Sequence, residues 1–215
     1  MVATTPSQTQ RRVKMANTKF KIIALDPGIT NTGWTLLEGD ITTDDLTVLK
    51  MGEFHPGPTA EKKPYKEELE KFDKRTISLA LLREELTKLL VQYKPDVVTT
   101  EDIFINMRRP QAYGALCMWM AIARTVCRDV AGKYLVAVPT KVAKMVTAGS
   151  GSDNKISVQQ HILANKHIKF KEQEDQFHMT EHEADSIAVA LALLVKHKDF
   201  IVQTVELRNG RSQGK

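Results

Sequence analysis

Four side chains have types and positions that suit them to chemistry together. Asp26 ends the apolar run IIALD, Glu101 closes VVTTE, and His182 and Asp185 lie three apart in HEADSIAVALA. A spacing of three puts His182 and Asp185 on one helical face. In an α/β sheet, strand ends and the opening of an adjacent helix can converge, and converging carboxylates repel one another unless they share cations. The economical reading is a magnesium or manganese site. Each residue also has an ordinary reading. Asp26, before Pro27-Gly28, suits a turn aspartate bonding nearby backbone N–H groups. Glu101 suits a solvated strand end, His182 a satisfied histidine, and Asp185 a partner for the helix dipole. Glu183 is assigned to structure, because Thr180-Glu181-His182-Glu183 fits the S/T-x-x-E capping box.

The elements that must position these groups follow from periodicity. Residues 20–26 are β-rich, the apolar pattern resumes over 32–38, and 46–54 alternates, which predicts three antiparallel strands joined by short turns. Residues 55–75 carry three prolines and dense mixed charge, so a solvated loop is expected to lead into a helix from Thr76. There Ile77, Leu81, Leu82, Leu86, Leu89 and Leu90 recur at helical spacing, and Pro95 sets the end. A buried strand at 96–100, a long apolar helix at 111–131 and a strand at 134–138 come next. A short helix, the loop GSGSDN, a helix from Lys155 and a last helix over 181–198 complete the order. This predicts an α/β fold: a mixed five-stranded sheet with helices on both faces.

The 215 residues suit one domain with tails: a basic arm at 1–19, the folded domain at 20–199 and a frayed tail at 200–215. The net charge of +5 matches the excess carried by Arg11, Arg12, Lys14, Lys19 and Lys21 near the N-terminus, a pattern that permits a polyanionic partner. No run approaches the ~20 apolar residues of a membrane span, and the arm lacks a secretory core. A soluble, cytoplasmic protein is expected. Cys117 and Cys127 sit on the same expected helix without a CxxC or Cys/His pattern, which predicts reduced thiols.

The segments ALDPGITNTGW, TEDIF, GSDNKISVQQHI and HEADSIAVALA, in this order across most of the chain, resemble the RuvC-type Holliday junction resolvases. That resemblance implies the RNase H-like fold and a homodimeric endonuclease. Such an enzyme nicks two opposed strands symmetrically at a four-way DNA junction or other branched DNA, leaving 5′-phosphates and 3′-hydroxyls. Asp26, Glu101 and Asp185 match the family's metal-binding acids, and His182 falls at the fourth place, either ligating metal or relaying a proton. The resemblance implies two Mg2+ ions per active site, with Mn2+ as a substitute that the imidazole favours. Lys155 matches a lysine near the scissile phosphate, where its charge would be neutralising. Phe104 matches an aromatic that helps open the junction, with a core phenylalanine as the alternative. Arg108 and Arg109 suit either phosphate contacts or a solvated corner.

The chain departs from the family pattern in the basic arm, the charged insertion at 55–75, the tail and the segment at 105–124. Within that last segment, Met118, Trp119 and Met120 suit a core or a dimer interface better than base stacking. Three other readings compete. DPGITNTG also resembles the first phosphate loop of actin-like ATPases, but those need a duplicated domain with a second loop, for which the chain has no motif. An RNase H-like nuclease acting on other branched DNA or RNA–DNA hybrids keeps the same metal centre. A non-catalytic junction-binding module would rely on the basic arm.

Overall fold

The computed structural model describes residues 17–43, 45–103, 110–148 and 155–212, with the backbone alone for residues 111, 148, 155–157, 211 and 212. Strand β1 (Lys19–Asp26) pairs antiparallel with β2 (Thr32–Asp40), and β2 with β3 (Leu46–Phe54). On the other side of β1, β4 (Val97–Glu101) and β5 (Leu135–Val138) add in parallel. The expected sheet of five strands has six: β6 (Ile168–Phe170) pairs parallel to β3, giving the order β5-β4-β1-β2-β3-β6. Three residues with a lysine at the centre carry too little periodicity to announce a strand, and the pairing reaches across more than a hundred residues of sequence.

Alternation divides the sheet into two faces. Phe20, Ile22 and Ala24 of β1 join Val97 of β4 in one core, while Ile23 and Leu25 join Val98 in the other. The second core is closed by α2 (Lys74–Tyr93) and α3 (Pro110–Ala131), with Leu82, Leu86, Trp119 and Met120 buried. Helix α2 begins two residues before the expected start because the Asp73 side chain accepts a hydrogen bond from the Thr76 N–H, capping the helix. Its last turn ends in left-handed Lys94 just before Pro95. The expected loop at 55–75 holds α1 (Pro56–Ala60) and a 3-10 turn over Tyr65–Glu70. Pro56 suits a first helical position, and fully buried Ala60 packs on Ile77 and Leu81.

The first core is covered by α4 (Thr140–Ala148), α5 (Lys155–Ala164) and α7 (Glu181–Ser212), with the short α6 (Asp175–His178) leading into α7. The expected frayed tail is corrected here. Helix α7 bends at His197 and continues to Ser212, with Ile201 and Val205 buried in the first core. Arg208 then bonds Asp96 at 2.8 Å and the Lys19 carbonyl at 2.7 Å, tying the end of the helix to the start of β1. Among the described residues no helix is long and apolar enough to cross a membrane.

Candidate active site

Alternation along two strands decides where the acids point. Asp26 continues the row Phe20-Ile22-Ala24, and Glu101 continues Val97-Thr99, so both face the α7 side. The parallel register pairs Ala24 with Thr99, and two further residues along each strand bring Asp26 beside Glu101. Both stand at the C-terminal ends of adjacent parallel strands, where open α/β sheets present ligand-binding groups.

The start of α7 supplies the other two groups. The expected capping box is present: the Thr180 hydroxyl accepts from the Glu183 N–H at 3.2 Å, and the Glu183 carboxylate accepts from the Thr180 N–H at 2.7 Å. This fixes the first helical turn, which carries His182 and Asp185. The turn lies directly on β2, because a Cβ placed on Gly33 would stand 2.3 Å from the His182 carbonyl oxygen and 2.7 Å from its Cβ. Only glycine permits that approach. One turn further on, the Ser186 and Thr35 hydroxyls are hydrogen-bonded, and Ser186 also donates to the Glu183 carbonyl at 2.7 Å. Helix α7 is therefore pinned to β2 through a buried polar contact.

In this arrangement His182 Nδ1 lies 2.6 Å from Asp26 Oδ2, with the aspartate mostly buried. A carboxylate can only accept, so Nδ1 carries the proton and donates it to Asp26. Glu101 has its pKa raised from 4.5 to about 7. Burial is the largest cause and the Asp26 charge the next; the hydrogen bond from Thr140 opposes them, Asp185 adds to the rise, and Lys144 lowers it. Asp26 and Asp185 thus both lie within electrostatic reach of Glu101. Among the described residues, no three His, Cys, Asp or Glu side chains close into a metal-ligand group. The donors themselves are the hard oxygen ligands that magnesium takes. The donor chemistry fits a divalent cation.

Asp26, Glu101, His182 and Asp185 are brought to one end of the sheet. Lys155 is the first residue of α5, with its side chain outside the described atoms, and Phe104, Arg108 and Arg109 lie outside the described residues. Three neighbours were missed in the sequence. Thr140 and Lys144 open α4 beside Glu101, and the signal available for them was Pro139 starting a helix straight after a strand. Glu53 pairs with Gly33, itself the partner of Asp26, so it projects from the same face of the sheet. Trp119 and Met120 are core residues as expected, whereas Met118 is 46% exposed. Both cysteines are free, and burial pushes the Cys127 thiol up to about 12.

No family model matches the chain. Curated relatives do. The crossover junction endodeoxyribonuclease RuvC of Azorhizobium caulinodans is 28% identical over 187 residues, covering 82% of this chain and 90% of that protein. RuvC of Ehrlichia ruminantium (strain Gardel) is 28% identical over 84% of this chain and all of that protein, and RuvC of Methylorubrum extorquens (strain PA1) is 26% identical over 81% and 79%. Among solved structures, Thermus thermophilus RuvC in complex with a Holliday junction substrate superposes with a TM-score of 0.64 at 19% identity, covering 85% of this chain and 97% of that one. The yeast mitochondrial Holliday junction resolvase Ydc2 gives 0.60 at 12% identity, over 85% and 83%. In sequence the chain is similar to RuvC crossover junction endodeoxyribonucleases, and its fold is the RNase H-like fold of the solved resolvases on which it superposes.

Proposed function

We propose that the protein is a metal-dependent endonuclease that resolves four-way DNA junctions by paired, symmetric nicks, acting as a homodimer. The observation that carries this reading is the grouping of Asp26, Glu101 and Asp185 at one end of one sheet face, close enough for two of the charges to raise the pKa of the third. Its support in sequence is the likeness to proteins called crossover junction endodeoxyribonucleases.

Asp26, Glu101 and Asp185 would hold two divalent cations, with Mg2+ suited by the oxygen donors and Mn2+ by any share that His182 takes. The cations supply a lowered pKa for the attacking water and charge stabilisation on the phosphate. Asp26 is held rigidly by the end of β1 and by its contact with His182. His182 has Nδ1 fixed on Asp26, and its imidazole would either ligate a cation or pass a proton between the reacting oxygens and solvent. Lys144, near Glu101, offsets negative charge in the site, and Lys155 is assigned the same task beside the phosphate. Phe104, Arg108 and Arg109 are assigned to contacts with the branched DNA, and the arm at 1–19 to salt-sensitive, sequence-independent affinity.

The test is cleavage of synthetic four-way junctions, immobile and mobile, each strand labelled in turn, with Mg2+ or Mn2+, comparing the protein with its Asp185→Asn variant. Paired nicks in opposed strands that vanish in the variant support the proposal. Preference for flaps or RNA–DNA hybrids overturns the substrate, and tight junction binding without cleavage under either metal overturns the enzymatic reading.

A further inference from the structure

The turn that carries the aspartate of β1 into β2 is held from the opposite face of the sheet. Thr32 opens β2 one residue before Gly33, so its side chain points away from α7 and toward α3. Both Thr32 and Trp119 are fully buried. The Trp119 indole Nε1–H donates to Thr32 Oγ1 at 3.0 Å, and the Thr32 hydroxyl donates onward to the Gly28 carbonyl at 2.6 Å. An indole can only donate and a carbonyl can only accept, so the threonine hydroxyl between them has one possible polarity. The chain runs in one direction, Trp119 to Thr32 to Gly28, and each polar atom in it is satisfied. Gly28 stands two residues after Asp26 and packs tightly in the turn, where a Cβ would lie 2.2 Å from the Asn31 carbonyl oxygen.

We infer that Trp119 is a positioning residue for Asp26, acting through Thr32 on the Asp26–Gly33 turn. The packing of a large ring explains a buried Trp119, but a phenylalanine would pack there as well. The indole N–H adds a directional anchor from the middle of a 22-residue helix to a turn whose Thr30 carbonyl also accepts from the Gly57 N–H and whose Asn31 side chain is hydrogen-bonded to His55. A hydrogen bond buried in a low-dielectric core is strong because the alternative is an unpaired donor and an unpaired carbonyl. On the other sheet face the same turn is contacted by His182 through Asp26. The catalytic aspartate is thus clamped between α3 beneath and α7 above, and the lower clamp is Trp119.

This inference rests on the proposed cleavage activity for one of its readouts, and a second readout is independent of it. Single-turnover cleavage at saturating protein and Mg2+ is measured for Thr32→Ser, Thr32→Val, Trp119→Phe and the double variant Thr32→Val/Trp119→Phe, with junction affinity measured in parallel. Thr32→Ser keeps the hydroxyl and is expected within about 2-fold of the unmodified rate, while Thr32→Val and Trp119→Phe each lose roughly 10-fold through a misplaced turn. Because both belong to one chain of hydrogen bonds, the double variant is expected to lose roughly 10-fold, far from the ~100-fold of independent sites. Affinity for the junction is expected to stay unchanged throughout. A Trp119→Phe rate equal to the unmodified one, or multiplicative losses, overturns the inference. The second readout is solvent exchange of the Trp119 indole N–H by NMR, assigned by its disappearance in Trp119→Phe. Slow exchange that becomes fast in Thr32→Val but not in Thr32→Ser supports the chain of bonds whether or not the protein cleaves DNA. Fast exchange in the unmodified protein overturns it, and if Trp119→Phe fails to fold, the Ser and Val pair at position 32 decides between these outcomes.

Discussion

Replacing Glu101 by glutamine is expected to stabilise the metal-free protein at neutral and alkaline pH. Its carboxyl has a pKa of about 7 in the fold against an ordinary 4.5. At pH 4 both folded and unfolded chains hold the proton, so the group contributes no difference. Between about pH 4.5 and 7 the unfolded chain releases its proton first, and folded stability falls as pH rises; above 7 the full cost is present. A shift of this size, at 1.36 kcal/mol per unit, amounts to about 3 kcal/mol. Glutamine resembles the protonated acid in size and keeps a carbonyl oxygen for the Thr140 hydroxyl, so it removes that cost. For a chain of this length, 1 kcal/mol moves the melting temperature by roughly 2–4 °C, which predicts a gain of roughly 6–12 °C at pH 8. The assay is thermal unfolding from pH 4 to 8.5 in a chelator, then in excess Mg2+. The gap between variant and unmodified protein is expected to open across pH 4.5–7 and to narrow when Mg2+ is added, because a bound cation stabilises only the folded chain with its carboxylate intact. A variant no more stable at pH 8, or a gap independent of pH, refutes the placement of Glu101 in a buried cluster of like charges.

Three other outcomes follow from the packing around this site. Gly33→Ala puts a methyl group against the His182 carbonyl and must displace the first turn of α7, so cleavage is expected to fall on the order of 100-fold; an unchanged single-turnover rate would count against the close approach. Glu183→Ala opens the capping box and orphans the Thr180 N–H, at a cost of about 1 kcal/mol in a urea unfolding curve at pH 7. Ile201→Ala, in the segment expected to be a tail, is predicted to cost about 2–5 kcal/mol by the same measurement, whereas no effect would mean that the end of α7 does not pack.

Much of the fold was legible because its signals are local. The leucine spacing of α2, the alternation of β1 to β3 and the capping box at Thr180 each depend on a few neighbouring residues, and each appears close to where periodicity or side-chain chemistry put it. Where the signal weakened, the reading failed for identifiable reasons. Strand β6 has three residues and exists only because the edge of β3 accepts it. The helix reading stopped at Lys198, yet Ile201 and Val205 stand four apart and continue the apolar stripe of α7, interrupted in sequence only by the charged residues around the bend at His197.

The sequence by itself determined which residues are chemically suited to the site: carboxylates at strand ends, a histidine and an aspartate on one helical face, and a glycine-containing turn between the first two strands. It could do so because side-chain type, strand period and helix period are properties of short stretches. Only the tertiary structure decided which of these groups meet. Strand register sets Asp26 beside Glu101, the absence of a side chain at Gly33 lets α7 deliver His182 to Asp26, and burial with two neighbouring charges raises the pKa of Glu101. Thr140, Lys144 and the Trp119–Thr32 bond belong to the same class, since each depends on elements distant in sequence coming within a few ångströms, and the distances that govern electrostatics and hydrogen bonding exist only once the chain has folded.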